Sequence, residues 1–509
     1  MPSAMHRDFL TYLRRQRLQL ERISREKRAS KVVWRFEELG TWNDLRAQWH
    51  DTRHQIRLLF NTPGGRLIGI VKSLELTPYG ARILLAGKIG QGLGTLDVIW
   101  KESNRRFENP DSMLELARTW MGQQAPGATI LSCARCSDRA ASLSRFFLRV
   151  HGRFRQRDFL LLVSPVTEDK DQTPEMLDQA LIWAQILRRR GLLRGIPRVI
   201  LLAPWDLSAV LHHRASLLDR ARAIVELWEC RPCGREWRLR RAPPPPEPVE
   251  HVDYHWPVLG PFRWSQVLAD VIDLAPSDIR RHPRFQEYDS LRLRGLEFAR
   301  AEGAARDRVT FGIGPQRAEL TADNFRQLRE LVEGILYYRR PDSPDEHHRY
   351  FRLQAERWLE SLILDDVARL FPELAPGSVY SQIPVYLGSE QGRVDILGAG
   401  LDGTLVVMEL KVSEDPGLPL QALDYWGRVV QHNNSGDFVR RGYFSEVKLN
   451  RQPPRIYLVS PVFSFHDTTE KILHFTNPGI EMWKIALNSD WRCGVRILSR
   501  TRIRQSRET

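Results

Sequence analysis

The residues best suited to chemistry lie between positions 393 and 425, where an aspartate precedes a Glu-x-Lys triplet. Short apolar runs flank Asp402-Gly403, a pattern that predicts a β-hairpin with a Gly-containing loop. A hairpin centred on Asp402 places Asp395, seven residues before the centre, opposite Glu409, seven residues after it. Two carboxylates are therefore expected to face each other across adjacent strands, within one residue if the loop is bulged.

A lysine joins the two carboxylates on the same face of the predicted sheet. Lys411 lies two residues after Glu409, so both side chains leave the strand on one side, while Met408 and Leu410 point to the opposite, apolar side. Close carboxylates repel each other unless a hard cation lies between them, and Mg²⁺ takes carboxylate, water and phosphate oxygens as ligands. The lysine would hold, or help to deprotonate, an attacking water.

Two predicted helices flank the hairpin. One begins near Pro419, after an acidic loop, and its Gln421 and Tyr425 share one face because they are spaced i, i+4. From that face they could reach back to Lys411 or to a phosphate. The other spans residues 352–371 and precedes the hairpin. Apolar residues lie on roughly one stripe of this earlier helix: Leu353, Trp358, Leu359, Leu362 and Ile363.

This motif resembles that of the PD-(D/E)XK nuclease superfamily, in the branch with a Q-x-x-x-Y helix found in RecB-like and NucS-like nucleases. The matching positions are Asp395 for the first acid, Glu409 and Lys411 for the (D/E)XK pair, and Gln421 and Tyr425 for the helix. Val394 stands where the motif is named for a proline. The resemblance covers about 160 of the 509 residues, from about Asp345 to the C-terminus.

The resemblance implies an α/β fold, with a C-terminal restriction-endonuclease-like domain built on a mixed central sheet flanked by helices. It also implies an acid on the preceding helix, for which Glu360 is the best candidate and Glu356 the alternative. Mg²⁺ or Mn²⁺ would be held by Asp395, Glu409 and the backbone carbonyl of Leu410. Further roles are implied for the remaining motif residues: Lys411 would position the water, Glu360 would complete the metal shell, and Gln421 and Tyr425 would orient Lys411 or the phosphate.

Composition and charge favour a nucleic-acid partner. With 42% apolar and 27% charged residues, the 509-residue chain is typical of a globular protein of two to four domains. The formal net charge of +14 favours a polyanion, although a basic surface can also simply be solvated. No apolar run is long enough to span a membrane and the N-terminus has no signal-like segment, so a cytoplasmic protein without a membrane partner is expected.

Shifts in pattern divide the chain into six predicted segments. A basic helical segment (1–60) could lie on nucleic acid or dock on the protein. The other five are a small β-rich module (61–125), an α/β domain with two C-x-x-C pairs (126–241), a proline-rich linker (242–250), a helical connecting region (251–344) and the nuclease-like domain (345–509). Within the connecting region, a helix is predicted to be capped at Thr321 and to stop before Pro341.

Four of the five cysteines form two C-x-x-C pairs, Cys133 with Cys136 and Cys230 with Cys233. Four thiolates suit a tetrahedral, structural Zn²⁺. The pairs lie about a hundred residues apart, however, so a whole folded segment would have to separate them. Free thiols in a reducing compartment are the alternative.

The α/β domain at 126–241 carries an echo of the C-terminal domain. The runs DFLLLVSP, QALIWAQIL and RVILLAP repeat the order of TLVVMELK, QALDYWGRV and RIYLVSP. No carboxylate matches Glu409, and Pro165 falls near the place of Lys411. The sequence therefore predicts a degenerate second copy without catalytic residues. The alternative is that the similarity is generic, because any βαβ unit has buried strands rich in Leu, Val and Ile.

Two classes of function are consistent with these residues. The first is a metal-dependent nuclease, with DNA favoured over RNA and endo or exo cleavage left open. The second is a non-catalytic protein that binds nucleic acid or scaffolds a partner on a nuclease fold, although carboxylates would repel phosphate in a pure binder. An enzyme acting on a small molecule is disfavoured because neither a nucleophile elbow nor a Walker-type loop is present. The oligomeric state is left open.

Overall fold

The computed structural model describes eighteen stretches of the chain: residues 4–26, 30–34, 37–41, 46–52, 55–62, 65–77, 80–86, 93–100, 110–137, 142–164, 175–204, 208–233, 236–242, 265–284, 288–303, 305–314, 317–387 and 390–503. The chain forms two compact units. The first consists of Met1–Ala215 and Arg220–Pro245, and the second of Ser216–Asp219 and Pro246–Thr509. From residue 243 onward, the predicted proline-rich linker lies outside the described residues.

The first unit begins with a helix packed on an antiparallel sheet. Helix α1 (Ala4–Glu26) buries Leu10, Leu13 and Leu20 in the core of this sheet. The seven strands, in the order β2-β1-β7-β6-β5-β4-β3, are β1 (Ser30–Trp34), β2 (Glu37–Thr41), β3 (Gln48–Asp51), β4 (Ile56–Thr62), β5 (Gly65–Thr77), β6 (Gly80–Ala86) and β7 (Leu93–Trp100). Of the two roles left open for the basic helix, docking on the protein is the one that its buried leucines support.

The β-rich module was predicted at 61–125, but its strands begin earlier, at Ser30, and end earlier, at Trp100. Strands begin at Ser30 and not near residue 61, because short, polar strands in 30–60 give little alternating apolar signal. Helix α2 (Pro110–Gln124), which the prediction placed in this module, packs its Met113 and Trp120 in the core of the next sheet.

The second sheet of the first unit is mixed. Its order is β13-β12-β11-β10-β9-β8, from β8 (Thr129–Ala134), β9 (Leu148–Phe154), β10 (Arg157–Val163), β11 (Arg198–Pro204), β12 (Ile224–Cys233) and β13 (Glu236–Arg241). Strands β10, β11 and β12 are parallel, and the outer pairs are antiparallel. The crossovers contain α3 (Met176–Arg189) and α4 (Ser208–Ser216).

The predicted helical connecting region at 251–344 is wrong for most of its described residues, which form an antiparallel sheet. Its strands, in the order β14-β15-β16-β17-β18, are β14 (Ile279–Arg284), β15 (Tyr288–Leu293), β16 (Leu296–Glu302), β17 (Arg308–Phe311) and β18 (Ala318–Glu319). The turn between β15 and β16 explains the error. Arg294 and Gly295 both have positive φ, 46° and 80°, as a tight two-residue hairpin turn requires. The Arg-Gly pair lacks the Asn or Asp that usually signals such a turn.

Helices α5 (Gln266–Ile272) and α6 (Phe325–Tyr338) pack on this sheet. Before α6, a 3₁₀ turn (Ala322–Asn324) is capped by Thr321 through a capping box. The backbone N–H of Thr321 donates to Oδ1 of Asn324 at 2.8 Å, and the Thr321 side chain accepts from the backbone N–H of Asn324. This start and the helix end at Tyr338 agree with the predicted cap and stop.

The last sheet is mixed and flanked by helices, as expected for 345–509. Its order is β19-β20-β21-β22-β23-β24, from β19 (Leu374–Leu387), β20 (Glu390–Gly400), β21 (Leu405–Leu410), β22 (Arg455–Pro461), β23 (Met482–Leu487) and β24 (Ile497–Arg502). The accompanying helices are α7 (Arg349–Arg352), α8 (Ala355–Asp365), α9 (Val367–Leu370), α10 (Leu418–Asn434), α11 (Asp437–Arg440) and α12 (Thr469–Leu473). The helix predicted over 352–371 is thus divided, because Gln354 has a left-handed backbone (φ 47°) and a further break occurs at Asp366.

The hairpin of β20 and β21 has the predicted register. Ile396 pairs with Met408 and Ala399 with Leu405, around a loop in which Gly403 has φ 79°. One face of β21 packs Met408 and Leu410 against α8, and the other packs Leu405 and Val407 in a core that includes Tyr425 of α10. The alternation therefore directs Glu409 to the side of α10.

The two mixed sheets have the same strand order and the same strand directions. In each, two antiparallel pairings lead into two parallel pairings and a final antiparallel pairing. Helices α3 and α10 occupy the same connection, between the first two parallel strands. The predicted repeat therefore extends to the whole sheet. Among the described helices, none is long and apolar enough to cross a membrane.

Candidate active site

The candidate site lies where β21 ends, at the edge that contains the carboxyl ends of the parallel strands. The last pair of the β20–β21 ladder at this end is Ile396–Met408, and Asp395 and Glu409 are the next residues on the two strands. Asp395 is close enough to Glu409 for its charge to raise the pKa of Glu409. Oδ2 of Asp395 accepts a hydrogen bond of 3.0 Å from the backbone N–H of Leu410, and this bond fixes the carboxylate beside the end of β21. The two predicted acids are therefore together.

Glu409 is the most deeply buried acid of the site, at 1% exposed against 2% for Glu360. Its Oε1 lies 3.4 Å from Nζ of Lys411. Its buried Oε2 has no hydrogen-bond partner among the described residues. Burial, followed by the neighbouring charge of Asp395, raises the pKa of Glu409 well above its ordinary range.

Lys411 lies directly after β21 and its backbone N–H donates to the carbonyl of Val459 in β22, at 3.0 Å. Its ammonium is within 3.4 Å of Glu409 and 3.5 Å of Asp415. Burial alone would lower the pKa of Lys411, but Glu409, Glu356 and Asp415 outweigh burial and raise it. The lysine is therefore a fixed cation at the site.

Gln421 and Tyr425 lie on α10, as predicted. Nε2 of Gln421 donates to the Tyr425 hydroxyl at 3.3 Å, so these two residues contact each other. Burial and the nearby Glu409 raise the pKa of the Tyr425 phenol. Gly392 of β20 leaves room for the ring, because a Cβ there would lie 2.6 Å from Cε1 of Tyr425.

The predicted acid on the preceding helix, Glu360 of α8, is buried and close to Asp395. Its Oε2 accepts hydrogen bonds of 2.7 Å from Nη1 of Arg357 and 2.7 Å from Nε2 of Gln382. Burial raises the pKa of Glu360 to about 7, although Arg357 and Arg292 oppose this rise. The alternative, Glu356, also belongs to the cluster, since Lys411 and Asp395 both act on its pKa, which burial raises.

Three contributors to the cluster were not predicted from the sequence. Nε2 of Gln382 also donates to Oδ1 of Asp395, at 3.1 Å, and thus joins the two acids. Nη1 of Arg357 lies 3.4 Å from the same oxygen. Nη1 of Arg292, from β15, lies 3.8 Å from Oε1 of Glu360. Arg357 directly follows Glu356, so its place on the predicted helix is a sequence signal that it lies near the site. Arg292 and Gln382 lie on strands that carry no recognisable motif, so the sequence gives no such signal for them.

The donor set suits one hard cation held largely by two carboxylates. Asp395 and Glu409 lie near each other at the end of the β20–β21 ladder, and Oε2 of Glu409 is a buried oxygen without a partner among the described residues. No group of three or more His, Cys, Asp or Glu side chains within the described stretches is arranged to hold a metal. Mg²⁺ does not need such a group, because it commonly binds one or two carboxylates and takes its other ligands from water and phosphate.

The structure does not bring the four candidate zinc cysteines together. Cys133 lies on the edge strand β8 and Cys230 on β12, with three strands between them. This separation is roughly 19 Å at the usual strand spacing, far beyond what one Zn²⁺ can bridge. Cys133 and Cys136 are exposed free thiols, and the buried Sγ of Cys230 is 3.1 Å from the carbonyl of Ala203. The Cys233 side chain lies outside the described residues.

In the first unit, the positions equivalent to Asp395 and Glu409 carry no acids, and the position equivalent to Lys411 carries no lysine. Ser164 donates its backbone N–H to the carbonyl of Leu202 at 3.0 Å, as Lys411 does in the second unit, so Ser164 and not Pro165 stands at the lysine position. Two residues earlier, Leu162 stands in place of Glu409 and pairs with Arg149, which stands in place of Asp395. The prediction of a copy without catalytic acids agrees with this register.

The sequence matches no described protein family, and no curated protein matches it. Two solved structures show a limited likeness. The complex of EndoMS with double-stranded DNA is 16% identical, with 42% of this chain and 92% of that chain covered and a TM-score of 0.16. A repair endonuclease from Pyrococcus abyssi is 13% identical, with 37% and 84% covered and a TM-score of 0.13. These likenesses are too weak to transfer details of fold or activity to this chain.

Proposed function

We propose that the chain is a metal-dependent nuclease that hydrolyses phosphodiester bonds, with DNA as its substrate. The observation that carries the proposal is the buried Oε2 of Glu409, which has no hydrogen-bond partner within the described residues. This carboxylate lies near Asp395 and 3.4 Å from Nζ of Lys411. An acid pair of this kind is costly to bury unless it binds something positive. The motif resemblance at the same residues supports the proposal.

Asp395, Glu409 and the backbone carbonyl of Leu410 would hold Mg²⁺ or Mn²⁺. When bound, the cation would neutralise charge on the phosphate and lower the pKa of its water. The backbone N–H of Leu410 and the amide of Gln382 would keep the Asp395 carboxylate oriented. These donors leave the unpartnered oxygen of Glu409 as the most available ligand.

The other residues would handle the water and the phosphate. Lys411 would hold the attacking water by donating a hydrogen bond and would stabilise the charge that develops on phosphate. Glu360, with a pKa of about 7, could hold or release a proton near neutral pH. Gln421 and Tyr425 would orient the phosphate from α10. The net charge of +14 supports a polyanionic substrate.

The test is Mg²⁺-dependent cleavage of labelled DNA and RNA substrates in single-stranded, duplex, flapped and mismatched forms. We expect the wild type to cleave DNA, and we expect Glu409→Ala and Lys411→Ala each to reduce the rate at least about 100-fold. Lys448→Ala is the matched control, because Lys448 is exposed and its carbonyl lies beside Gly403, at the opposite end of the hairpin. Its rate should equal that of the wild type.

Tight binding of nucleic acid without cleavage under Mg²⁺ or Mn²⁺ would contradict the nuclease proposal. The chain would then belong to the class of non-catalytic nucleic-acid-binding proteins. Equal loss of rate in Lys448→Ala and Lys411→Ala would show that the lysine contributes only general charge.

A further inference from the structure

An exposed aromatic side chain lies in the turn that follows β22, next to the candidate site. Phe463 and Val462 belong to a short 3₁₀ turn (Val462–Ser464). Phe463 is 79% exposed and Val462 37% exposed, and Phe463 is the most exposed of the large apolar side chains within the described residues. Two apolar side chains that are adjacent in the chain are therefore exposed next to the candidate site.

Two hydrogen bonds fix this turn beside Lys411. The backbone N–H of Lys411 donates to Val459 at 3.0 Å, which sets the end of β21 level with β22. Farther along, Oγ of Ser464 donates to the carbonyl of Val412 at 3.2 Å. Ser464 bonds directly to Val412, and Phe463 is the residue before Ser464. The Cα atoms of Val412 and Phe463 are therefore at most roughly 12 Å apart by chain geometry. A stacked strand spans this upper limit with about three or four nucleotides.

The turn contains a second aromatic residue that is already engaged. The ring of Phe465 lies 4.5 Å from Nζ of Lys484 in β23. This contact and the Ser464 bond both anchor the turn, so the backbone that carries Phe463 is held beside the site. A backbone that is already ordered loses little further conformational entropy when a ligand binds to it.

We propose that Phe463, supported by Val462, stacks on an unpaired nucleobase of the strand whose phosphate lies at Lys411. The inference rests on the proposed function, because it takes the substrate to be nucleic acid. Aromatic rings stack on any base through its π-face, and such stacking does not depend on sequence. In continuous duplex both faces of each base are already covered, so the contact favours single strands, flaps or unpaired positions.

The experiment measures binding without cleavage. The full-length wild-type chain, kept in chelator so that the proposed metal-dependent cleavage cannot occur, is the parent and is titrated with single-stranded DNA that contains the fluorescent base 2-aminopurine at successive positions. Adding Phe463→Ala should raise Kd about 5- to 150-fold, the range for loss of one base-aromatic stack. It should also abolish the fluorescence change at one labelled position. Phe463→Trp should bind within about twofold of the parent, while Phe463→Leu, which keeps apolar area without a π-face, should behave like Phe463→Ala.

Leu401→Ala is the matched control, because Leu401 is 68% exposed but lies in the hairpin loop at the far end of β20 and β21. Its Kd should not change. Equal affinity of Phe463→Ala and the parent, or of Phe463→Leu and the parent, would overturn the stacking inference. If the wild type cleaves nothing but Phe463→Ala still weakens binding, the nuclease proposal fails and this inference stands. Absence of binding by every variant would overturn both.

Discussion

At the scale of single residues, the acids of the site are buried close together, where the ionised form of each is unfavourable. Asp395, Glu409 and Glu360 all have pKa values raised first by burial, and Glu409 and Glu360 are raised further by Asp395. Arg357 and Lys411 only partly compensate. A cluster of this kind is less stable as anions than it would be in water, and a bound cation would relieve the difference.

Gln382 is expected to position the acids without touching the substrate. It donates to Glu360 at 2.7 Å and to Asp395 at 3.1 Å, from a backbone held at φ 57°. Gln382→Ala should lower Mg²⁺ affinity or the cleavage rate about 10- to 100-fold, because partners of metal-binding carboxylates have effects of this size. Cleavage rates measured across a Mg²⁺ titration would separate the two effects.

Gln391→Ala is the control for this prediction, since Gln391 lies on the neighbouring strand with an exposed side chain. If both alanine variants cleave at the wild-type rate at every Mg²⁺ concentration, Gln382 has no positioning role.

The raised pKa of Glu360 predicts a pH dependence of stability in metal-free protein. With a folded pKa of about 7, above the unfolded value near 4.5, the protonated acid contributes stability that is complete below about pH 4.5 and is lost as pH rises through 7. In Glu360→Gln the side chain is neutral at every pH. The substitution should therefore remove up to roughly 3 kcal/mol of the loss of unfolding free energy that the wild type shows as pH rises. Melting curves in chelator at pH 5.5 and pH 8.5 should therefore differ less for Glu360→Gln than for the wild type. A difference as large as that of the wild type would contradict the assignment.

At the scale of elements, helix α8 is seated by the antiparallel sheet that precedes it. Arg339, at the end of α6, is fully buried and donates to the carbonyls of Tyr350, Leu353 and Gln354, just before α8 begins. The β15–β16 turn packs so closely that a Cβ on Gly295 would lie 2.0 Å from the carbonyl oxygen of Arg357. The sheet therefore sets the position of the helix that carries Arg357 and Glu360.

Replacing Gly295 tests whether the close contact of the β15–β16 turn with α8 positions this helix. Gly295→Ala adds a clash with backbone to the cost of a positive φ (80°), whereas Gly314→Ala has nearly the same φ (84°) and nothing within 4 Å. We expect Gly314→Ala to cost about 1–2 kcal/mol and Gly295→Ala more than about 3 kcal/mol of unfolding free energy. Gly295→Ala should also slow cleavage under conditions where it remains folded. Denaturant unfolding that gives equal values for the two variants would show that the turn can move away from α8.

At the scale of the whole molecule, the chain contains two copies of one sheet topology, but only the second has acids at the positions of Asp395 and Glu409. The copy in the first unit keeps its core strands, and its equivalents of Glu409 and Asp395 are Leu162 and Arg149. Arg149 is buried and donates to the carbonyls of Ser144 and Cys136. Loss of buried acids removes an electrostatic cost without disturbing strand order, which depends on the apolar core.

Substitutions at equivalent positions should therefore have unequal effects. Ser164→Ala should leave the cleavage rate unchanged, while Lys411→Ala at the matching position should reduce it at least about 100-fold. Single-turnover rates of the two variants on the same DNA would measure this. A comparable loss in Ser164→Ala would mean that the first unit contributes to the chemistry.

The sequence by itself determined the local features of the site. The apolar runs around Asp402-Gly403 predicted the hairpin and its register, which brings Asp395 near Glu409, because the period of a strand is two and the loop sets the register. The spacing of Gln421 and Tyr425 likewise placed both on one side of α10. These relations depend on residues close together in the chain.

Only the tertiary structure decided which distant residues complete the cluster. Gln382 and Arg292 come from β19 and from the preceding sheet, and no local pattern predicts that two separate strands and α8 meet at one carboxylate. The antiparallel strands of that sheet were missed because an Arg-Gly turn is a weak signal of a hairpin. The separation of the two cysteine pairs was also decided by tertiary structure. It depends on strand order, which is set by packing of whole elements and is not revealed by sequence spacing.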